Sequence, residues 1–311
     1  MRPEASKRDF LRLTDLTRAE CDALFALASD LKAALRAGRP RPELQGRTLA
    51  MIFEKPSLRT RISFETGMTQ LGGHAIYLAP ADIRLGQRET VADIARTLAR
   101  VVDMIVARTF LHGVLVELAE RAHVPVVNGL TDLHHPCQVL ADLFTLHEHR
   151  RPLDELRVAF VGDGNNIVHS WLEAATLYRF TFALACPTGY EPDAAIVAEC
   201  RAKGARTEIT HDVAEAVRNA DVVYTDVWTS MGQEDEAAAR RARFAPYQLN
   251  DAVMRGAARD ALVMHCLPAH RGEEITESVL EGPRSVVFDQ AENRLHLQKA
   301  LMAWLAKESG R

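Results

Sequence analysis

The sequence predicts an α/β protein built from two doubly wound parallel-sheet domains of similar size. Three observations carry that expectation. The 311 residues suffice for two sizeable cores. Short apolar runs alternate with longer amphipathic ones, the pattern of parallel strands joined by crossover helices. That alternation restarts after a charged stretch, H-E-H-R-R-P-L-D at residues 147–154, which reads as a domain boundary. The expected division is 1–146, 147–289 and a last helical segment, 290–311.

In the first half, an amphipathic helix is expected over 14–37, with Leu24, Leu27, Leu31 and Leu35 on one stripe and Gly38 beyond its end. Residues 48–52 form a short apolar strand that Pro56 stops, because proline brings no N–H to a ladder. Ser57 is a good N-cap, and Ile62, Phe64, Glu65 and Met68 follow at helical spacing up to Gly72 and Gly73. A strand is expected at 74–78, a loop at 79–88, a helix at 89–100, a strand at 101–107, a helix at 111–123, a strand at 124–128 and a helix at 136–147. In the second half, strands are expected at 157–161, 182–185, 206–209, 221–225, 261–265 and 285–288. Helices are expected at 165–178, 192–203 and 290–307, and 233–243 reads as a surface loop or short exposed helix.

Composition narrows the function classes. Hydrophobic content of 47% and charged content of 26% are those of an ordinary soluble globular protein. A formal net charge of −4 gives no reason to expect nucleic acid or an anionic membrane as partner. No apolar run approaches the ~20 residues of a membrane span. Residues 1–15 mix both charge signs without an apolar core, unlike a secretory signal or transit peptide. The five cysteines (Cys21, Cys137, Cys186, Cys200, Cys266) are odd in number and scattered, which points to reduced thiols and a cytoplasmic setting. None forms C-x-x-C, so no structural zinc site is expected.

Ligands of open α/β sheets gather at the C-terminal ends of strands, so the turns just after strands are the places to search. The foremost is Phe53–Phe64, F-E-K-P-S-L-R-T-R-I-S-F. Ser57, Leu58, Arg59 and Thr60 sit in the first helical turn, where backbone N–H groups and the positive end of the helix dipole suit a phosphate. Lys55, Arg59 and Arg61 add positive charge there, and cations at a helix N-terminus oppose its dipole unless an anion is near. The plain alternative is a capped helix with a solvated basic turn. Arg108 follows the 101–107 strand.

The stretch L-T-D-L-H-H-P-C-Q, residues 130–138, places His135 and Gln138 three apart, on one helical face. A neutral histidine polarising a carbonyl and a glutamine accepting from an NH₂ group are suitable roles. A surface histidine cluster is the bland reading, and a metal set of His134, His135 and Cys137 is weaker because the three point apart. G-D-G-N-N, 162–166, resembles a dinucleotide fingerprint, but Ile167 stands where its third glycine belongs, and the 182–185 strand ends without a ribose-binding acid. A nicotinamide or flavin is therefore not expected. Asn165 and Asn166 suit a polar ligand or an Asx cap equally well. Asp226, leaving a strand ahead of Ser230-Met231-Gly232, suits an ammonium group. Cys266, in H-C-L-P-A-H, has no dyad partner near it in sequence, so covalent catalysis is not expected. Arg294 opens the last helix, with a surface salt bridge as its plain reading.

Taken together and in order, S-L-R-T-R at 57–61, H-P-C-Q at 135–138, G-D-G-N-N at 162–166, Asp226 with S-M-G at 230–232, and H-C-L-P at 265–268 resemble the aspartate/ornithine carbamoyltransferase family, on its ornithine side. The resemblance runs from about Leu11 to Leu305. It implies transfer of a carbamoyl group from carbamoyl phosphate to the δ-amine of L-ornithine, giving L-citrulline and phosphate in arginine metabolism. It also implies no organic cofactor, no metal and a homotrimer or an assembly of trimers. The first domain would bind carbamoyl phosphate and the second the amino acid, with the active site in the cleft between them and the final helices rejoining the first domain.

By the same resemblance, Ser57, Leu58 (through its backbone), Arg59, Thr60 and Arg108 hold the phosphate. His135 and Gln138 hold the carbamoyl group, with Arg59 and Arg294 assisting. Asn166, Asp226, Ser230 and Met231 match ornithine positions, and the backbone carbonyls of Cys266 and Leu267 lie near the δ-amine and carbamoyl group. Two positions depart from the pattern. Leu58 replaces a threonine common in the basic turn, and Arg84 stands where glutamine or histidine is usual in the 79–88 loop, so that either Arg84 or Gln87 takes the contact there. The rival acceptors are an N-acylated ornithine, putrescine and aspartate. Outside catalysis, the rival is a binding protein that keeps the fold without turnover.

Overall fold

The computed structural model describes residues 7–310 except Arg84, Gln87, Arg150, Arg151, Met231 and Gln233. The expectations placed on Arg84, Gln87 and Met231 therefore lie outside the described residues. The chain forms two units, Met1–Phe144 with Asn293–Arg311, and Thr145–Glu292.

The first unit carries a four-stranded sheet of β1 (Thr48–Phe53), β2 (His74–Leu78), β3 (Met104–Arg108) and β4 (Val126–Leu130), in the order β2-β1-β3-β4. Every pairing in it is parallel. The central strands β1 and β3 are almost wholly buried, as strands covered on both faces must be, while the edge strand β2 is not. α1 (Arg18–Arg36) precedes the sheet; the crossovers are α2 (Leu58–Gln70), α3 (Pro80–Ile83) with α4 (Val91–Leu98), and α5 (His112–Arg121), followed by α6 (Pro136–Glu148).

Several boundaries move for local reasons. The first helix begins at Arg18 rather than at 14, because Thr17 and Glu20 close a reciprocal capping box. Its buried face is Leu24, Phe25, Ala28 and Leu31, whereas Leu35 is exposed, so the leucine stripe overstates the core side. The strand expected at 101–107 starts only at Met104, since the Asp103 carboxylate accepts from Thr48 N–H at 2.9 Å and pins the turn before it. The 79–88 loop contains the short α3.

The second unit holds β5 (Arg157–Val161), β6 (Thr181–Ala185), β7 (Arg206–Thr210), β8 (Val222–Thr225) and β9 (Leu262–His265), all parallel, in the order β7-β6-β5-β8-β9. Its helices are α7 (Asn166–Tyr178), α8 (Ala194–Ala202), α9 (Val213–Val217), α10 (Ala237–Phe244), α11 (Asp251–Met254) and α12 (Glu277–Leu280). On one face, Trp171 of α7 stacks on Phe182 (6.2 Å) and meets Phe180 and Tyr224 edge-on. Fully burying side chains of this kind is worth roughly 1.5–3 kcal/mol each.

One expectation fails in the second half. Residues 285–288 are not a strand: Ser285 makes one bridge to Val263, and α13 (Val287–Glu308) starts two residues later. The valine pair there is too short a run to separate strand from helix, and buried Val287, Gln290, Arg294, Leu297, Leu301 and Leu305 keep the helical period. From Asn293 onward α13 belongs to the first unit. There it packs close to α2, because a Cβ on Gly67 would lie 3.0 Å from the Met302 side chain. The segment expected as a surface loop or short exposed helix carries the short, mostly exposed α10 (Ala237–Phe244), in which Arg240 and Phe244 are the buried exceptions.

Among the described residues, no helix is long and apolar enough to cross a membrane.

Candidate active site

Each strand order reverses once, and there diverging connections leave a crevice beyond the strand ends. In the first sheet this switch lies between β1 and β3, whose ends are level at Phe53 and Arg108. In the second it lies between β5 and β8, level at Val161 and Thr225. The turns after these four strands are 54–57, 108–111, 162–165 and 226–230, and most of the sequence-predicted residues sit in or beside them.

At the first switch, Ser57 caps α2, its Oγ accepting the Thr60 N–H at 3.3 Å. The helix opens with the N–H groups of Leu58 and Arg59, which lie ahead of the first intrahelical bond, from Arg61 N to Ser57 O. Leu58 is 72% exposed, so its side chain makes no part of the core.

The basic turn is less uniform than its sequence. Lys55 is buried, paired with Asp132 and placed 4.3 Å over the Phe110 ring. Arg61 bonds Glu65 at 3.0 Å and lies 3.8 Å from the Tyr77 ring centre. Both are engaged by protein groups, which corrects the expectation of three cations serving one anion. The charge of Arg59 acts on His135.

His135 is buried at the start of α6. Burial first, then the nearby charges of Arg294, Arg108 and Arg59, hold its pKa well below the usual histidine value. The imidazole is therefore neutral at physiological pH, and three guanidinium charges act on it. Arg294, also buried, donates through Nη1 to Gln138 Oε1 at 3.0 Å and through Nη2 to Thr60 Oγ1 at 2.9 Å. Gln138 in turn donates Nε2 to Asp142 Oδ1 at 2.8 Å. The first unit thus unites Thr60, Arg59, Arg108, His135, Gln138 and Arg294.

Asp142 was not among the predicted residues, although its i,i+4 spacing from Gln138 on a helix was readable. Arg294 is no surface salt bridge but a buried fork. His134 turns instead to His112, ring centres 5.1 Å apart, and its N–H donates to Thr131 Oγ1. Its ring does not converge with those of the other candidate metal ligands, His135 and Cys137, among the described residues. Burial pushes the Cys137 thiol up to about 12.

At the second switch, Asp226 is buried and accepts three hydrogen bonds. Val227 N–H and Cys266 Sγ–H reach Oδ1 at 2.8 and 2.9 Å, and Asn165 Nδ2 reaches Oδ2 at 3.0 Å. Asn165 also caps α7, its Oδ1 accepting from Ile167 and Val168 N–H. The Asx-cap reading therefore holds for Asn165, while Asn166 is the first residue of the helix and half-buried. Ser230 lies half-buried beyond Asp226. The glycine-rich turn serves packing: a Cβ on Gly164 would stand 2.4 Å from Pro192 N.

Cys266 and Leu267 follow β9. His265 Nδ1 accepts the Leu267 N–H at 2.9 Å, and His265 Nε2–H donates to Glu274 Oε1 at 3.1 Å. Leu267 takes a left-handed φ of +57°. Asp226, His265 and Cys266 offer ligand atoms within 4.8 Å of one another, but both His265 nitrogens are already used in hydrogen bonds. The trio is a hydrogen-bonded polar cluster.

The sequence matches two family models. Residues 8–148 match the aspartate/ornithine carbamoyltransferase carbamoyl-P binding domain, and residues 154–305 match the Asp/Orn binding domain. Ornithine carbamoyltransferase of Syntrophus aciditrophicus is 54% identical over 298 residues, covering 95% of this chain and 98% of that one. The anabolic ornithine carbamoyltransferase of Pseudomonas aeruginosa is 52% identical over 304 residues, covering 98% and 99%. Among solved structures, ornithine carbamoyltransferase from Pyrococcus furiosus aligns with a TM-score of 0.92 at 49% identity, over 96% of both chains.

Proposed function

Because the chain belongs to the aspartate/ornithine carbamoyltransferase family, we propose that it moves the carbamoyl group of carbamoyl phosphate to the δ-amine of L-ornithine, releasing L-citrulline and phosphate. The observation that carries this reading is the convergence of Arg59, Arg108 and Arg294 on the neutral, buried His135. A dianionic phosphate joined to a polarisable carbonyl is the ligand such a group fits.

In this reading the phosphate binds at the α2 N-terminus through Ser57, the backbone of Leu58, Arg59 and Thr60, with Arg108 opposite. His135 donates to the carbamoyl oxygen, Gln138 accepts from its NH₂ group, and Arg294 holds Gln138 and Thr60 in place. Asp226 pairs with the α-ammonium of ornithine, with Asn166 and Ser230 beside it and the carbonyls of Cys266 and Leu267 at the δ-amine. Met231 keeps its ornithine role by family pattern alone, as does Arg84 its phosphate role.

The neutral δ-amine attacks the carbamoyl carbon, forming the C–N bond and placing negative charge on the carbonyl oxygen, where His135 and the guanidiniums stabilise it. The C–O bond to phosphate then breaks, and the phosphate leaves with the electron pair and takes up the proton that the amine gives off. An alkyl ammonium has a pKa near ~10.4, so the site must favour the neutral amine. Three arginines supply the charge neutralisation, and no metal or organic cofactor enters the scheme. All five cysteines stand outside disulfides, which supports a cytoplasmic enzyme. The family pattern supports a homotrimer or an assembly of trimers, and the anabolic relative supports the synthetic direction, arginine biosynthesis.

Two variants test this division of labour. Arg59→Ala should lower kcat/KM by about 100-fold or more, the usual loss of one preorganised charge donor. Asp226→Asn should raise the KM for ornithine and leave that for carbamoyl phosphate near its starting value. Turnover like that of the wild type in Arg59→Ala would sink the assignment of the basic turn.

A further inference from the structure

Arg240 is buried in α10, a helix otherwise rich in exposed charge, and nothing in the scheme above uses it. Its Nη2 pairs with Asp163, in the turn after β5 that also carries Asn165. Its Nε donates to the Trp228 carbonyl at 2.7 Å, two residues beyond Asp226. The guanidinium lies 4.8 Å from the Tyr190 ring centre and 5.5 Å from that of Phe244, two rings that pack edge-on against each other and hold it in place. Glu236, at 3.5 Å and mostly exposed, is a weaker second partner. One side chain thus ties together the two turns that meet at the second switch point.

Charge makes this more than a tether. Burial, opposed by Arg240 and reinforced by Asp226, holds the Asp163 carboxyl up at about 6. Two carboxylates therefore share this corner, and only one is matched by a resident cation. Among the described residues the other, Asp226, accepts from neutral donors, Val227 N–H, Asn165 and Cys266.

We propose that Arg240 and Asp163 form a charge-sorting pair that neutralises itself and leaves Asp226 as the single open negative charge for the α-ammonium of the amino-acid substrate. Arg240 is then a positioning residue for that substrate, and the proposal rests on the reading of Asp226 as its counter-ion. Removing Arg240 leaves the Asp163 carboxylate without its guanidinium partner beside Asp226 and frees the Trp228 carbonyl. Removing only the charge of Asp163 leaves a buried guanidinium to repel the ammonium. Both single changes weaken the amino acid, and changing both restores the balance.

The test is a double-mutant cycle read as KM for ornithine and, separately, for carbamoyl phosphate. Arg240→Gln, Asp163→Asn and the double variant are assayed at about pH 8, where Asp163 is ionised in the wild type. Each single variant should raise the ornithine KM by about tenfold or more, with carbamoyl phosphate KM within about twofold, and the double variant should recover most of the loss. Arg240→Lys, which keeps the charge and shortens the fork, should fall between wild type and Arg240→Gln, and it carries the test should Arg240→Gln not fold. A double variant whose loss is the product of the two single losses would overturn the proposal, and so would single variants indistinguishable from wild type. A wild-type protein that does not carbamoylate ornithine would instead overturn the function on which the proposal rests.

Discussion

His135 shows how far one side chain's state depends on its surroundings. An exposed histidine would be partly charged near neutrality, but burial and three guanidiniums keep this one neutral. The folded-state pKa lies below the unfolded value of ~6.5, so the unfolded chain takes up a proton that the folded chain refuses. The stability tied to this group is fully present above about pH 6.5 and declines as pH falls below it. Urea midpoints at several pH values should show a steeper acid decline in the wild type than in His135→Asn, with equal slopes counting against a neutral His135. The thiols make a second case. Cys21, Cys137, Cys186 and Cys200 are buried, and burial pushes Cys137 and Cys186 up to about 12. Cys266 is half-buried beside Asp226. A neutral thiol reagent should therefore label Cys266 first in the native protein, and saturating ornithine should slow that labelling.

At the scale of the element, α2 separates what a motif says from what its residues do. Ser57 reads as a cap in the sequence and is one, because capping is local chemistry. The three cations of the same turn read alike but differ in the fold. Lys55 answers Asp132, 77 positions away in sequence, and Arg61 rests on Tyr77 of the neighbouring strand. No local spacing reports such partners. Arg61→Ala should accordingly change kcat/KM by less than about fivefold, since an exposed pair is worth about 0–1 kcal/mol, in contrast to Arg59→Ala. A loss as large as that of Arg59→Ala would return Arg61 to the site. The same limit hid Arg240, which sits in a segment whose composition is that of a solvated helix. It also set the failure at 285–288, where a pair of valines outweighed the start of α13.

Across the whole molecule, alternating elements and a charged junction were enough to expect two α/β units with parallel sheets, and both sheets are wholly parallel. Strand order was not legible, because it depends on which strands pair rather than on what each contains. Yet that order gives the motifs their meaning: it sets β1 beside β3 and β5 beside β8, so turns far apart in sequence meet at each switch point. Family membership then assigns the chain one reaction with two substrates, carbamoyl phosphate and ornithine. The measurement closest to that claim offers carbamoyl phosphate to the wild-type protein with ornithine, N-acetylornithine, putrescine or aspartate in parallel, and follows the carbamoylated product of each together with phosphate. The account predicts rapid citrulline formation, one phosphate per citrulline, with the other three acceptors turned over far more slowly. Preferred turnover of another acceptor would contradict the role given to Asp226, and carbamoyl phosphate binding without product from any acceptor would contradict the enzyme itself.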